Sequence, residues 1–177
     1  MRALERAGAD AVEVRTAADL QAIDGLVIPG GESTTMLKLL GMENLFDELA
    51  SFGKAKPIFG TCAGAILLAT EVENPPQASL GLMDLSVQRN GYGRQVDSRI
   101  AKIELGGKIV EAVFIRAPII RRVGAAAKVL ASYDGTAVLV EQGRHMVATF
   151  HPELTADDGV HRHFVEKVVA SLIRAEC

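Results

Sequence analysis

The chain has 177 residues, the length of one domain with room for a sizeable core. Apolar residues make up 49% and charged residues 23%, a globular balance; a formal net charge of -3 gives no basic footprint for nucleic acid. No apolar run approaches the roughly 18 residues of a membrane span, the start lacks a signal-peptide core, and two cysteines, Cys62 and Cys177, cannot form a disulfide framework. The expected setting is therefore a reducing cytoplasm, with no membrane or nucleic-acid partner.

In chain order, residues 1–8 read as a helix, Ala11–Arg15 as a short strand and Ala17–Ile23 as a second helix. Gly25–Pro29 is an apolar strand, followed by helices over Ser33–Leu40 and Glu43–Phe52. Pro57–Gly60 is a short buried strand feeding a helix from Ala63 to about Ala69. Strand–helix alternation with near-continuous apolar strands predicts a parallel sheet covered on both faces. Asn74-Pro75-Pro76 is a loop. The rhythm then changes to strands: Leu85–Gln88, Ile100–Glu104, Ile109–Ile115, Lys128–Ser132, Ala137–Glu141 and His145–Phe150. Gly106-Gly107 and Gln142-Gly143 sit where hairpin turns belong. A last helix spans Gly159–Ala175, with Val160, Phe164, Val168 and Leu172 on one face. The expected fold class is a single α/β domain over 1–177, three-layered and flavodoxin-like, with a mostly parallel sheet and a late antiparallel insertion.

Phe59-Gly60-Thr61-Cys62-Ala63-Gly64 joins an apolar strand to an apolar helix with the glycine–x–nucleophile–x–glycine spacing of a nucleophile elbow. The glycines let strand and helix approach closely, and the cysteine sits where the helix dipole favours a thiolate. The Ala63 amide points to the same spot and is a candidate oxyanion donor. A buried cysteine packed as a small hydrophobe is the ordinary alternative.

A cysteine nucleophile needs a base. His161 and His163 are two apart in the final helix and read as solvated surface, and His145 as an ordinary strand histidine. His151 follows a strand at the end where active sites of open sheets collect. Pro152 biases it to an extended backbone, so that Glu153 at i+2 points the same way and can orient the imidazole. Cys62, His151 and Glu153 thus make a candidate triad. Gly30-Gly31-Glu32-Ser33-Thr34 forms a glycine loop at a strand end, with Ser33 or Thr34 capping the next helix. The Gly31 amide is the candidate second oxyanion donor. No lysine follows the glycines, so this is not a phosphate loop.

With these pieces in order, the sequence resembles the class I glutamine amidotransferases, and within them the PdxT family, the glutaminase subunits of pyridoxal 5'-phosphate synthase. The resemblance rests on PGGEST (29–34), GTCAG (60–64), RNGYGRQVDS (89–98), FIRAP (114–118) and FHPE (150–153). It implies hydrolysis of glutamine to glutamate and ammonia through a cysteinyl thioester, with no metal or cofactor. The ammonia would pass to a synthase subunit in a hetero-oligomer that builds pyridoxal phosphate. It carries the catalytic roles to Cys62, His151 and Glu153, and glutamine binding to Gly30, Gly31, Glu32, Arg89, Ile115 and Arg116. By periodicity alone Arg89 and Arg116 are surface charges at strand ends. Another cysteine amidohydrolase of the same fold, and an inactive truncated binding module, remain as alternatives.

Members of this family open with an apolar strand ahead of the helix that begins here at Met1, and that first strand is missing from the sequence. In the doubly wound order its place is between the second and third strands. The expectation is a slot of roughly two strand spacings, about 10 Å, unless the sheet closes up or another chain fills it.

Overall fold

The computed structural model describes residues 1–89 and 98–175. Asn90–Asp97, most of one family-like stretch, and Cys177 lie outside the described residues. Helices α1 (Arg2–Arg6) and α2 (Ala17–Gln21) lead to strand β1 (Leu26–Ile28), then α3 (Ser33–Met42), α4 (Leu45–Ala55), β2 (Ile58–Thr61) and α5 (Ala63–Leu68). Strands β3 (Ala69–Glu73), β4 (Met83–Gln88), β5 (Arg99–Leu105), β6 (Lys108–Phe114) and β7 (Ile119–Val123) follow. The chain closes with β8 (Lys128–Tyr133), β9 (Thr136–Gln142), β10 (His145–Ala148), a 3-10 turn (Pro152–Leu154) and α6 (Gly159–Ala175).

The main sheet has the order β1-β2-β10-β9-β8. Its β1, β2 and β10 run parallel, whereas β9 and β8 extend the sheet antiparallel through hairpins. Smaller sheets β3-β4-β7 and β5-β6 complete the late insertion. The β5–β6 hairpin turns at Gly106-Gly107, with φ of 57° and 79°, which glycine adopts without a Cβ clash.

Alternation along β2 splits the core between the two faces of the sheet. Ile58 joins one apolar cluster, with Leu45, Leu49 and Phe52 of α4 and Leu67 and Leu68 of α5. Phe59 joins the other, with Val160 and Phe164 of α6 and Ile103 and Ala112 of the β5–β6 hairpin. Helix α4 is held by its spacing: Leu45, Leu49 and Phe52 recur on one buried face while Glu48 and Lys54 face water. Helix α2 is short and is set locally by a capping box between Thr16 and Asp19.

Four expectations change. Residues 11–15 do not form a strand, and Val12 is exposed. A strand needs a neighbour for its amides, and among the described residues β1 pairs only with β2, so the sheet has not closed up against residues 11–15. The helix after Cys62 ends at Leu68, as expected, but Ala69 opens β3, a strand not read from the sequence, which pairs with β4. Strand β7, not read from the sequence, gains its place by pairing with β4. Helices α1 and α2 are each shorter than their apolar pattern suggested.

Candidate active site

The elbow is built by close packing. A Cβ at Gly60 would overlap the Gly64 carbonyl and one at Gly64 would overlap that of Ile28, so strand, turn and helix touch through bare backbone. Cys62 between them has φ 50° and ψ -103°, a strained conformation that the surrounding core enforces. Its amide donates to the Ala148 carbonyl of β10 at 2.8 Å, tying the elbow to the neighbouring strand. Ala63 is the first residue of α5, where an amide has no acceptor within the helix.

Because β2 and β10 are parallel neighbours, Cys62 and His151 emerge at the same end of the sheet. The His151 amide donates to the Val113 carbonyl at 2.8 Å, which draws the end of β6 to the same edge. His151 Nδ1 and Glu153 Oε1 are 2.8 Å apart. The backbone reason differs from the sequence reading: Pro152–Leu154 form a 3-10 turn, and it is this turn that swings Glu153 back onto the imidazole. The hydrogen bond with the Cys62 thiol, then the one with Glu153, raise His151 to about 9 against the opposing effect of burial. Burial pushes Glu153 up, but the His151 bond and its charge outweigh it, leaving the carboxyl below its ordinary value.

Gly30 is wedged between the two groups. A Cβ there would overlap His151 Cε1, lie 3.1 Å from its Nδ1 and 3.2 Å from Cys62 Cβ. The Cys62 thiol lies 3.9 Å from the Ile115 carbonyl. Around them is a crevice of about 280 Å3, lined by Gly31, Glu32, Arg89, Arg116 and Leu154 among others. That volume suits a small molecule of amino-acid size rather than a polymer.

Glu32 is committed to its own loop. Its carboxylate accepts from the Thr34 amide at 3.0 Å, from the Thr35 amide at 2.7 Å and from the Thr35 hydroxyl at 2.8 Å, capping α3. The Thr34 amide bond, followed by those from Thr35, lowers its pKa to about 2. Arg89 leans across: its guanidinium donates to the Thr34 hydroxyl at 2.8 Å and lies 3.4 Å from Glu32 Oε1. Its side chain is 13% exposed, far from the free surface charge that strand periodicity implied. Arg116 has φ 45°, which turns the chain at the crevice rim.

Sequence reasoning missed Ile66 and Leu154 as crevice walls. Ile66 lies four residues after Cys62, one turn along α5, a spacing that could have placed it. Leu154 carried no such signal, because only the 3-10 turn brings it round. His161, read as solvated surface, is buried at 2% exposure. His163 is half-exposed and pairs with Glu141 at 3.0 Å. His145 is buried in β10, where Nδ1 accepts the Ile58 amide at 3.2 Å; burial, chiefly, lowers it to about 4.

A cysteine held at a strand–helix elbow against a histidine–glutamate pair, in an open α/β sheet, is the arrangement of the cysteine-dependent amidotransferase class. A family model described as the SNO glutamine amidotransferase family matches residues 1–170. The chain belongs to that family. It is 59% identical over 175 residues to the pyridoxal 5'-phosphate synthase subunit PdxT of Solibacter usitatus, covering 94% of this chain and 91% of that protein. It is 56% identical over 167 residues to the subunit of the same name from Koribacter versatilis, covering 93% and 86%. A crystal structure of a glutamine amidotransferase superposes with a TM-score of 0.89 at 43% identity, over 95% of this chain and 91% of that one.

Proposed function

We propose that this protein is the glutaminase subunit of a pyridoxal 5'-phosphate synthase, hydrolysing L-glutamine and delivering the ammonia to a synthase subunit. The observation that carries the chemistry is the contiguity of Cys62, His151 and Glu153 around Gly30. The identity to named PdxT subunits over most of both chains supports the partner and product.

In this reading the Cys62 thiolate attacks the side-chain amide carbon of glutamine, and the amides of Ala63 and Gly31 receive the developing oxyanion. The His151 imidazolium gives its proton to the departing nitrogen, ammonia leaves, and a glutamyl thioester remains. His151, now neutral, takes a proton from water as the water attacks the thioester. Glutamate departs and the thiolate–imidazolium pair is restored. Glu153 keeps Nδ1 of His151 protonated, so that Nε2 faces the thiol and the substrate. Arg89 suits the substrate carboxylate by its charge and fork of donors. Gly30, Gly31 and Glu32 shape the loop opposite it, and Ile115 and Arg116 supply the facing rim.

The test is ammonia release from glutamine, measured for the wild type and Cys62→Ala, each with and without the synthase subunit. Turnover should rise when the synthase is added and disappear in Cys62→Ala. Turnover that ignores the synthase would instead point to another amidohydrolase of this fold.

A further inference from the structure

Ser33 opens α3 and lines the crevice beside Gly31 and Glu32, yet it is only 3% exposed. Its hydroxyl does not serve its own helix. The cap of α3 is the Glu32 carboxylate, which takes the Thr34 and Thr35 amides, a role the residue order had offered to Ser33 or Thr34. The Ser33 hydroxyl instead donates to Oε1 of Gln77, 44 residues away, at 2.9 Å.

Gln77 lies in the connection between β3 and β4, outside the elbow and the glycine loop. It is half-buried, and its Nε2 is sealed from solvent without a hydrogen-bond partner among the described residues. A methionine of similar length would fill this place without burying an amide, so packing alone does not call for glutamine. The connection is itself held firmly. The Leu80 amide donates to the Leu67 carbonyl at 2.7 Å and the Leu82 amide to the Leu68 carbonyl at 3.0 Å, both at the end of α5. Leu82 also packs so closely on α4 that a Cβ at Gly53 would overlap its methyl group.

The Ser33–Gln77 bond therefore joins the two walls of the crevice. One wall is the elbow and α5, with Cys62, Ala63 and Ile66; the other is the glycine loop, with Gly31 and Glu32. The Glu32 cap stiffens the loop internally but does not set its distance from α5. Arg89 also reaches the loop, through the Thr34 hydroxyl and Glu32. Its guanidinium is, however, the group suited to the substrate carboxylate. A substrate that draws Arg89 away leaves the Gln77 bond in place.

We propose that Gln77 is a positioning residue for the reaction: its Oε1 holds Ser33, and with it the Gly31 amide, at a fixed separation from the Ala63 amide across the crevice. Two donors serve one developing oxyanion best when their spacing is set beforehand, because a donor that must move into place loses the advantage of preorganisation. This role rests on the function proposed above and on those two amides as the oxyanion donors.

The full chain, assembled with its synthase subunit, is tested as wild type, Gln77→Met, Gln77→Glu, Ser33→Ala and the double variant carrying Ser33→Ala and Gln77→Met. Gln77→Met keeps the length of the side chain and removes its acceptor; Gln77→Glu restores an oxygen at the place of Oε1. Gln77→Met should lower kcat by roughly ten- to a hundredfold, part of the worth of one oxyanion donor. KM should stay within about twofold, because the ground-state amide makes little use of the hole. Alkylation of the Cys62 thiolate by iodoacetamide builds no oxyanion, so its rate should also stay within about twofold. Gln77→Glu should recover most of kcat despite a lower melting temperature. Ser33→Ala should match Gln77→Met, and the double variant should lose no more than either, because both changes remove the same bond. The amide shift of Gly31 in the full chain reports the displacement without turnover: it should move in Gln77→Met and return in Gln77→Glu. A wild-type complex inert toward glutamine would sink the function proposed above, while an unmoved Gly31 shift would sink the placement of the loop by Gln77. Wild-type kcat in Gln77→Met overturns the proposal. So do losses that multiply in the double variant, or that fall equally on turnover and alkylation.

Discussion

Substituting Gly30 by alanine adds one methyl group at the narrowest point of the site. That methyl would overlap His151 Cε1 and press on its Nδ1 at 3.1 Å and on Cys62 Cβ at 3.2 Å. Ordinary carbon contacts begin near 3.5 Å, so the imidazole or the loop must retreat by the order of 1 Å. Overpacking of this kind costs about 1–3 kcal/mol of stability. A displacement of about 1 Å in a catalytic group costs on the order of a hundredfold in rate. Gly30→Ala should therefore fold with a modestly lower melting temperature and lose about two orders of magnitude in kcat. Ammonia release in the assembled complex and a thermal melt of the isolated chain measure the two effects. Gly41 serves as the control: it lies in α3 with nothing within 4 Å of an added Cβ, so Gly41→Ala should be neutral or gain up to about 1 kcal/mol. If Gly30→Ala retained activity within about threefold of wild type, the contiguity of Cys62 and His151 across this glycine would be wrong.

The raised pKa of His151 gives a signed expectation. A group lifted from 6.5 to about 9 contributes stability that is fully present below pH 6.5 and is lost as pH rises through about 9. The denaturation midpoint should fall between pH 7 and 10 in the wild type, and fall less in His151→Ala. The kcat/KM profile should lose its alkaline side near pH 9, where the leaving nitrogen no longer receives a proton. Buried His145 behaves in the opposite sense. Its pKa of about 4 means that the fold is penalised as pH drops from 6.5 toward 4. His145→Leu should remove that sensitivity in acid melts but cost about 1–3 kcal/mol at neutral pH, because the Ile58 amide loses its acceptor. Glu32→Ala should raise KM for glutamine more than it lowers kcat, since it releases both the α3 cap and the Arg89 tether. An unchanged KM would show that the tether does not shape the substrate subsite.

The elbow and the His151–Glu153 pair were legible in the sequence because their constraints are local. A cysteine flanked by glycines between an apolar strand and an apolar helix admits few backbone solutions, and the built structure uses the expected one. His-Pro-Glu brought its two side chains together, although through a 3-10 turn rather than an extended segment. The parallel strands, the long α6 and the glycine hairpin at 106–107 likewise followed from periodicity and turn chemistry.

What the linear pattern did not contain was any property that depends on a neighbour. Residues 11–15 have a strand composition but, among the described residues, no strand pairs with them to receive their amides, so they stay outside the sheet. Residues 119–123 carry two arginines and still form β7, because β4 offers them an edge. His161 and His163 stand two apart on one helix, yet one is sealed against Phe59 and the other meets solvent beside Glu141. Helical spacing gives the angle between two side chains but not which way the helix is turned toward the core. Composition, periodicity and turn residues settled the class of fold and pointed to the groups proposed to react. The pairing of edges and the facing of helices fixed which buried polar atoms those groups meet, since desolvation is a property of the assembled surroundings and not of the residue.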